Sequence, residues 1–507
     1  MSEHKKIVRG RWVLQDAESV IVDGAVLLDG AEIGEVGEWR HIRERYPQVP
    51  VSGSSQHAII PGLINAHHHS NGVTALQHGI PDQLLEPWLL SLAKRRRTDI
   101  YPATLLSAAR LLRTGVTSVV DVHSGRGTPT AFKETIGDAL RAYDDAGMRV
   151  AYAIGMTEQS FLVWDDDERF LSTLPAEARS VAASRLPPAT TLMSDDYFAV
   201  FDELWRQYQT HPRIELWFGP PGPQWVSDDF MLRIAGRAVD YGTGIQTHLL
   251  ESVYERQHGR RVYRRPTLLH LRDLGVLSQR ISFAHGVWLT EEEIAVAAES
   301  GAHVSHNPSS NLRLRAGIAP LNAMLAAGLS VGLGMDGTTL NDDEDMFTEM
   351  RLALNLHRTP QLEGPAPTAA DIWRLATEGG ARLLQAGARL GRLAPGYAAD
   401  LVLLRLERIL WPWTAPEADP ALLLLTRACA RDVDTVYVGG DVVLQDGKPS
   451  RIDMAAAATA LAESLAATPF PGEAEQMVQA LLPHLRAYYR QWQAGELVPY
   501  STYNSRT

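Results

Sequence analysis

The chain has a single cysteine, Cys429, among its 507 residues. One thiol cannot form an intramolecular disulfide, and a metal site built from several thiolates is excluded as well. A protein without disulfides suits a reducing compartment, so we expect a cytoplasmic location. Metal ligands, if there are any, must come from histidine and carboxylate side chains.

Long apolar runs and an excess of basic residues are also lacking. The first 14 residues have no apolar core of a signal peptide, and no stretch approaches the roughly 20 apolar residues of a membrane span. The net charge of −12 argues against nucleic acid or an anionic membrane as a partner. The one basic run, Lys94 to Arg97, is typical of a solvated helix face. We therefore expect a small-molecule substrate.

The middle of the chain, residues 61–388, alternates buried-strand patterns with helical ones, which is typical of βα units around a parallel sheet. Helical stretches such as "PATLLSAARLLRTG" separate several of the strands and end at glycine. Eight strands with crossover helices predict an α/β fold of the (β/α)8 barrel type. The strand candidates are "AIIPGLINAHHH", "GVTSVVDVHSG", "RVAYAIGMTE", "IELWFGPPGP", "TGIQTHLLES", "ISFAHGVWLT", "AHVSHNPSSN" and "LSVGLGMDGTT".

The flanking segments 1–60 and 389–452 are rich in short β-type runs, and we expect them to join in one composite β-sandwich beside the barrel. Residues 157–213 are too long for an ordinary βα connection. They predict an insertion that is either a possible lid or an added subdomain. Residues 453–507 have a helical pattern and are expected to pack on the barrel or on another subunit.

Histidines and an aspartate close the predicted strands, where a barrel of this type carries its chemistry. His67 and His69 are two residues apart, so on a strand they point to the same side, while His68 points to the opposite side. His248 and Asp336 would complete a set of three nitrogens and one oxygen. That set suits one divalent metal, Zn²⁺ first and Fe²⁺ as an alternative, which would activate a water molecule.

Two further residues are candidates for proton transfer. Glu251 lies three residues after His248, where a carboxylate reaches the substrate without being a ligand, so we predict a general acid. The alternative is an ordinary glutamate at a helix N-terminus. His285 is either a fifth metal contact or a residue that orients the nucleophile, and Asp336 could also accept a proton from water.

Four residues near strand ends are candidate substrate contacts: Gln77, His123, Trp225 and Asn311. For each of them the alternative is a packed or hydrogen-bonded scaffold residue. His306 is expected to support the wall of the site. The "GLGMDG" run spells a dinucleotide-binding fingerprint, but its place at the eighth strand argues against that role.

The motifs "PGLINAHHH", "HLLE", "FAHGVWLT", "HNPSSNLRLRAGIAPL", "GLGMDG" and "GRLAPGYAADLVLL" together resemble the amidohydrolase superfamily. The similarity is to the branch that contains cytosine, guanine and S-adenosylhomocysteine deaminases and the triazine hydrolases. It implies a mononuclear metal held by His67, His69, His248 and Asp336, with Glu251 and His285 as the acid/base and orienting pair. It also implies the composite sandwich and a homo-oligomer.

The small number of lysines in the sequence predicts how many metal ions the site holds. Binuclear members of the superfamily usually need a carboxylated lysine at the fourth strand, and this chain has lysine only at Lys5, Lys6, Lys94, Lys133 and Lys448. The prediction is therefore a mononuclear aminohydrolase that deaminates a nitrogen heterocycle. The alternatives are hydrolysis of an exocyclic amide, urea, carbamate or chloride at the same site, and a non-catalytic scaffold.

Overall fold

The protein is described from a computed structural model, which covers residues 4–125, 127–183, 186 and 192–492. The last residues of the predicted helical tail, 493–507, and most of "SRLPPATT" in the insertion lie outside this part. The strands are β1 Lys5–Leu14, β2 Val20–Asp29, β3 Glu32–Glu38, β4 Val51–Pro61, β5 Leu63–His68, β6 Val116–Ser124, β7 Arg149–Gly155, β8 Ile214–Phe218, β9 Ile245–Leu249, β10 Ile281–His285, β11 His303–His306, β12 Ser330–Leu333, β13 Leu401–Arg405, β14 Val433–Val438, β15 Asp441–Gln445 and β16 Lys448–Pro449.

Helices follow most of the barrel strands, and several have clear sequence boundaries. The helix at Pro129 begins after Thr128, whose hydroxyl accepts the Ala131 N–H, and it ends at Gly147 in the left-handed conformation. The α-helices are α1 Trp39–Arg45, α2 Leu85–Ser91, α3 Ile100–Arg113, α4 Pro129–Ala146, α5 Asp167–Ser172, α6 Ala176–Ala183, α7 Ser194–Tyr208, α8 Asp228–Tyr241, α9 Val253–His258, α10 Thr267–Asp273, α11 Glu291–Ser300, α12 Pro308–Arg313, α13 Leu321–Ala326, α14 Met346–Leu356, α15 Ala369–Arg374, α16 Gly380–Leu383, α17 Glu407–Leu410, α18 Pro420–Arg427, α19 Met454–Ala467 and α20 Gly472–Arg490. Short 3-10 turns lie at Leu76–His78, Leu92–Lys94, Pro223–Trp225 and Ala430–Asp432, and π-helical turns at Gly259–Tyr263 and Leu375–Gly379.

Strands β5 to β12 form the barrel, in chain order and with parallel pairing. The ring closes where the chain after β12 returns to β5: His68 pairs with Asp336, and the Asp336 N–H donates to the His67 carbonyl over 2.9 Å. The predicted (β/α)8 barrel is thus confirmed. The run "AIIP" at the start of the first strand candidate belongs instead to β4, outside the barrel.

Both chain ends contribute to a second, eight-stranded sheet, in the order β16-β15-β14-β13-β4-β1-β2-β3. β4 connects the two ends, because it pairs with β1 on one side and with β13 on the other. One face buries a core of its own that includes Val8, Val26, Ile59 and Leu403. The composite unit predicted from the sequence is present, and its strands belong to one continuous sheet.

A separate hydrophobic cluster lies above the barrel. It joins α2, the insertion segment 162–182 and α20, through residues that include Trp88, Trp164, Phe170, Leu481 and Tyr489. The predicted C-terminal helices are present, α19 in contact with α3 and α20 with α2 and α6. Among the described residues, no helix has the length and apolarity needed to cross a membrane.

Candidate metal site and substrate cavity

Five side chains converge at the carboxyl end of the barrel. His67 and His69 extend from β5, His248 from β9 and His285 from β10, while Asp336 follows β12. The donor atoms of His67, His69 and His248 lie within 4.8 Å of one another, as do those of His67, His285 and Asp336. Parallel strands have brought together residues that are up to 269 positions apart, because all their carboxyl ends meet at one rim.

Each imidazole is oriented by a hydrogen bond from its Nδ1 atom, so that its Nε2 atom carries the lone pair. The partners of His67, His69, His248 and His285 are the Gln246 side-chain oxygen at 2.8 Å, the Val122 carbonyl at 2.8 Å, the Pro221 carbonyl at 2.7 Å and the Asn311 side-chain oxygen at 2.9 Å. The Nε2 atoms of His67 and His285 are buried and have no hydrogen-bond partner among the described residues. Bonds of this kind fix the tautomer that a divalent metal requires, and an unpartnered buried nitrogen fits a metal ligand.

Burial lowers the pKa of three of these imidazoles, those of His67, His248 and His285, which favours their neutral form. Burial, with the neighbouring His285 and His69, lowers the pKa of His248 to about 3. Burial, together with the adjacent His248, also lowers the pKa of His67 well below its ordinary value. A neutral imidazole keeps the lone pair that metal coordination needs.

Asp336 supplies the negative charge of the cluster. One oxygen lies 3.6 Å from His67 Nε2 and 3.4 Å from His69 Nε2, while the other accepts the Ser310 hydroxyl. Burial alone would raise the pKa of this carboxyl, but His67 and the neighbouring imidazoles hold it well below its usual range. Asp336 is therefore an ionised oxygen donor beside three imidazole nitrogens, a set suited to one divalent cation.

Glu251 lies next to this cluster and lines the same cavity. Its Oε2 atom is 3.5 Å from His285 Nε2, and its buried Oε1 atom has no hydrogen-bond partner in the part of the chain that the structure describes. Burial raises the pKa of Glu251 well above its ordinary value, and the nearby carboxyl of Glu255 adds to the shift. The raised pKa favours the protonated carboxyl, the form that a general acid needs.

The backbone is strained at three positions of the rim. Leu250, His285 and Asp336 have φ values of 51°, 78° and 56°, the left-handed region that favours glycine. Such conformations persist where the surrounding structure imposes them, and they concentrate at functional sites. Here they direct the side chains of His285 and Asp336 toward the cluster.

His68 faces away from the cluster, as the strand period predicts. Its ring is 1% exposed; Nδ1 donates to the Asp336 carbonyl over 2.9 Å, and Nε2 lies 2.8 Å from the Ser107 hydroxyl of α3. The residue therefore connects the barrel wall to the main chain at Asp336. His306 is also buried, and its Nε2 lies 2.9 Å from Nε2 of His357.

A cavity of about 740 Å³ opens above the cluster. Its metal end is polar and includes His69, His123, Glu251 and Asp336. Arg95 also lies at this end, where it donates to Asn71 over 3.3 Å. The rest of the lining is mostly apolar and comes from α2, the insertion segment and α20: Leu85, Trp88, Leu89, Leu92, Phe161, Leu162, Trp164, Phe170, Met477, Leu481, Leu485 and Tyr489.

The four expected substrate contacts fall into two pairs. His123 and Trp225 line the cavity. Gln77 does not: it is exposed, and its side-chain oxygen accepts the Thr74 N–H within its own loop. Asn311 is buried beneath His285 and accepts its Nδ1–H, so it holds the imidazole and is absent from the lining. Gln77 lies in a three-residue 3-10 turn and Asn311 in the six-residue helix α12, and neither element is long enough for a sequence period to predict the direction of a side chain.

Two features of the site had no local signal in the sequence. Gln246, which orients His67, is one of two buried polar residues that precede His248 on β9. The α20 residues in the lining reach the cavity only through tertiary packing. Their apolar spacing predicted a buried helix face but not what that face covers.

Known deaminases are similar to this chain over most of its length. A 5-methylthioadenosine/S-adenosylhomocysteine deaminase of Pyrococcus furiosus is 30% identical over 451 residues, 87% of this chain and 96% of the relative. A 5'-deoxyadenosine deaminase of Methanosarcina mazei is 28% identical over 439 residues, 85% of this chain and 90% of the relative.

Solved structures have the same fold. An adenosine deaminase from Xanthomonas campestris with bound zinc superposes with a TM-score of 0.77, at 27% identity, over 90% of this chain and 97% of that chain. The atrazine chlorohydrolase of Arthrobacter aurescens, also with zinc, gives a TM-score of 0.75 at 24% identity, over 91% of this chain and 100% of that chain. The second likeness concerns the fold alone.

A family profile, that of the Amidohydrolase family, matches residues 58–443. The match begins in β4, runs through the whole barrel and ends in β15, so it includes all five residues of the rim cluster. More than half of the chain lies within it. The chain belongs to the amidohydrolase family.

Proposed function

We propose that this chain is a metal-dependent aminohydrolase that removes an exocyclic amino group from a nitrogen heterocycle as ammonia. One observation carries the proposal: the buried carboxyl of Glu251 opens into the same cavity as the cluster of imidazoles and Asp336. Two relatives named as adenine-nucleoside deaminases, similar along more than four fifths of the chain, support it.

We assign a divalent cation to His67, His69, His248 and Asp336. The unpartnered Nε2 of His67 and the hydrogen-bonded Nδ1 atoms support this assignment. Zinc is favoured by the donor set and by the zinc in the similar adenosine deaminase structure, and iron is the alternative. When bound, such an ion supplies a positive charge that polarises the substrate and lowers the pKa of water.

In the proposed reaction a bond forms between a water oxygen and the ring carbon that carries the amino group, and the carbon–nitrogen bond of that group then breaks. Glu251 gives its proton to the adjacent ring nitrogen, which makes the carbon electrophilic. Asp336 takes one proton from water and delivers it to the departing amino group, while His285, held by Asn311, orients the attacking oxygen. The remaining hydroxyl proton of that oxygen returns to Glu251 as the carbonyl forms. The products are ammonia and the ring carbonyl.

A screen for ammonia release tests the proposal. Zinc-loaded and iron-loaded protein would be incubated with aminopurines and their nucleosides, pterins, pyrimidines, triazines and aryl amides. We expect ammonia from at least one aminoheterocycle at a kcat/KM of about 10⁴ M⁻¹s⁻¹ or more. Release of amine, chloride or carboxylate without ammonia would show that the chain catalyses one of the other hydrolytic reactions and not deamination. A protein that holds less than about half an equivalent of metal and gains no activity on reconstitution would contradict both deamination and the other hydrolytic reactions.

The predictions of a homo-oligomer and of a cytoplasmic location are retained with this proposal. Light scattering coupled to size-exclusion chromatography measures the first. Fractionation of the source cells measures the second.

A further inference from the structure

The cavity continues well beyond the metal end, and one wall of that extension comes from the C-terminal helix. Met477, Leu481, Leu485 and Tyr489 of α20 all line it. They follow one another at intervals of four residues, so they form a single stripe along the helix. Leu481, Leu485 and Tyr489 are between 2% and 4% exposed, so this stripe is part of the protein interior.

Hydrogen bonds fix α20 to the insertion segment. The Tyr489 hydroxyl accepts the Trp164 N–H over 2.9 Å, and the Tyr488 hydroxyl donates to Asp165 over 2.9 Å. The rings of Tyr489 and Trp164 meet edge to face with centroids 6.0 Å apart. These contacts hold the stripe in place, so it forms a defined wall of the cavity.

The helix lies outside the part of the chain that the family profile matches, which ends at residue 443. The rim cluster lies inside the match. The residues of the rim and those of the far wall therefore come from different parts of the chain. Because α20 lines the cavity that leads to the rim, its side chains are placed to determine which substrates bind there.

The chemistry of this wall selects against charge. Its side chains are aliphatic or aromatic, and the one hydroxyl among them, that of Tyr489, accepts the Trp164 main-chain N–H. Elsewhere in the described lining, Arg95 lies toward Asp336 and Asn71 at the metal end, and the carboxyl of Glu86 on α2 accepts the Ser252 hydroxyl. An ionised group placed against α20 would lose its hydration without gaining an ionic partner from that helix, whereas an apolar group would be stabilised by burial.

We infer that α20 forms an apolar subsite that takes an uncharged alkyl, alkylthio or aryl group at the end of the substrate remote from the reacting ring. This inference rests on the proposed function for the identity of the ring, but not for the existence of the subsite. The subsite is continuous with the metal end of the same cavity.

A binding experiment tests the subsite without any turnover. Imidazoles bind zinc through a ring nitrogen, so 1-benzylimidazole and 1-methylimidazole differ only in the group offered to the cavity. Calorimetry on the zinc-loaded full chain should give a dissociation constant at least tenfold lower for the benzyl compound. Equal affinities for the two compounds would overturn the inference.

Variants on one helix locate the effect. Leu481→Gln should reduce the tenfold affinity advantage of the benzyl compound to less than threefold. Met477→Gln should do the same, and because Met477 is less buried, this variant should disturb folding less. Val478→Ala is the matched control, because Val478 is buried on α20 but does not line the cavity. It should lower Tm and leave the ratio unchanged. If the ratio of the two dissociation constants stays near tenfold in both glutamine variants, the apolar subsite lies elsewhere.

Turnover separates this inference from the proposed function. 5'-Methylthioadenosine and S-adenosylhomocysteine share the ring, the sugar and the sulfur, but the second has a charged amino-acid end. If the chain deaminates adenine nucleosides, the first should have at least a tenfold higher kcat/KM. A preference for the charged substrate would contradict the subsite. Ammonia from no heterocycle, with the benzyl advantage intact, would contradict only the proposed function.

Discussion

The side-chain oxygen of Gln246 accepts the Nδ1–H of His67 over 2.8 Å, across the interior of the barrel. The amide nitrogen of Gln246 donates in turn to the Ala66 carbonyl over 2.8 Å and to the Ser282 hydroxyl over 3.1 Å. Because the amide is held from the other side, the imidazole has one orientation and one tautomer. A residue that touches no substrate thus determines where a proposed metal ligand points.

Gln246→Leu should lower the affinity for zinc about 10- to 100-fold, because the His67 ring loses the acceptor that fixes it. Chelator competition followed by elemental analysis measures this change. Ser282→Ala is the control: it removes one contact of the Gln246 amide and leaves the bond to His67, so affinity should change by less than about threefold. Unchanged zinc affinity in Gln246→Leu would exclude the orienting role.

Substitutions in the histidine triplet should separate metal binding from stability. His67→Ala and His69→Ala should each reduce bound metal to below about 0.2 equivalents after dialysis, because a three-ligand site binds far more weakly. His68→Ala should retain one equivalent and lower Tm instead, since His68 bonds to Ser107 and to the Asp336 main chain. Loss of metal in His68→Ala alone would contradict the assignment.

Glu251→Gln should reduce kcat by a factor of at least about 100 while metal content stays at one equivalent, because the amide cannot give up a proton to the substrate ring. Steady-state kinetics with the substrate found in the ammonia screen, alongside elemental analysis, would show both effects. Glu291→Gln, at the exposed start of α11, serves as the control and should leave kcat unchanged. A Glu251→Gln variant with more than half of the original kcat would leave the general-acid role without support.

The barrel was predictable because its signals are local. Each strand is a short apolar run, and six of the eight are closed by a histidine or an aspartate, such as His123 or His285. The separation of His68 from its neighbours follows from the alternation of a strand, which needs no tertiary information. The convergence of His248 and Asp336 follows from the barrel topology once the strands are recognised.

The side-chain directions of Gln77 and Asn311 and the packing of α20 could not be predicted from local sequence patterns, for one physical reason. In short turns and short helices, side-chain direction depends on individual hydrogen bonds, such as those from Thr74 to Gln77 and from His285 to Asn311. The apolar stripe of α20 could have covered the barrel or a second subunit equally well. Only the complete packing of α2, the insertion and α20 shows that the stripe faces the cavity. Movement of the insertion as a lid stays a prediction.

Away from the rim, Glu349 of α14 should make the stability of the protein depend on pH. Its side chain is fully buried. One oxygen accepts the Ser309 N–H over 3.3 Å, and the other has no hydrogen-bond partner within residues 4–125, 127–183, 186 and 192–492. Burial raises the pKa of Glu349 from 4.5 to about 8. Between these values the unfolded chain releases the proton while the folded protein keeps it, so ionisation favours unfolding increasingly as pH rises toward 8. Glu349→Gln removes the titration, and it should raise the apparent Tm by about 2 °C or more at pH 8 and by less at pH 5.

Differential scanning calorimetry at the two pH values measures the difference, with the exposed Glu417→Gln as a control that should shift Tm at neither. A gain at pH 5 as large as that at pH 8 would mean that the substitution stabilises through packing and not through the buried proton.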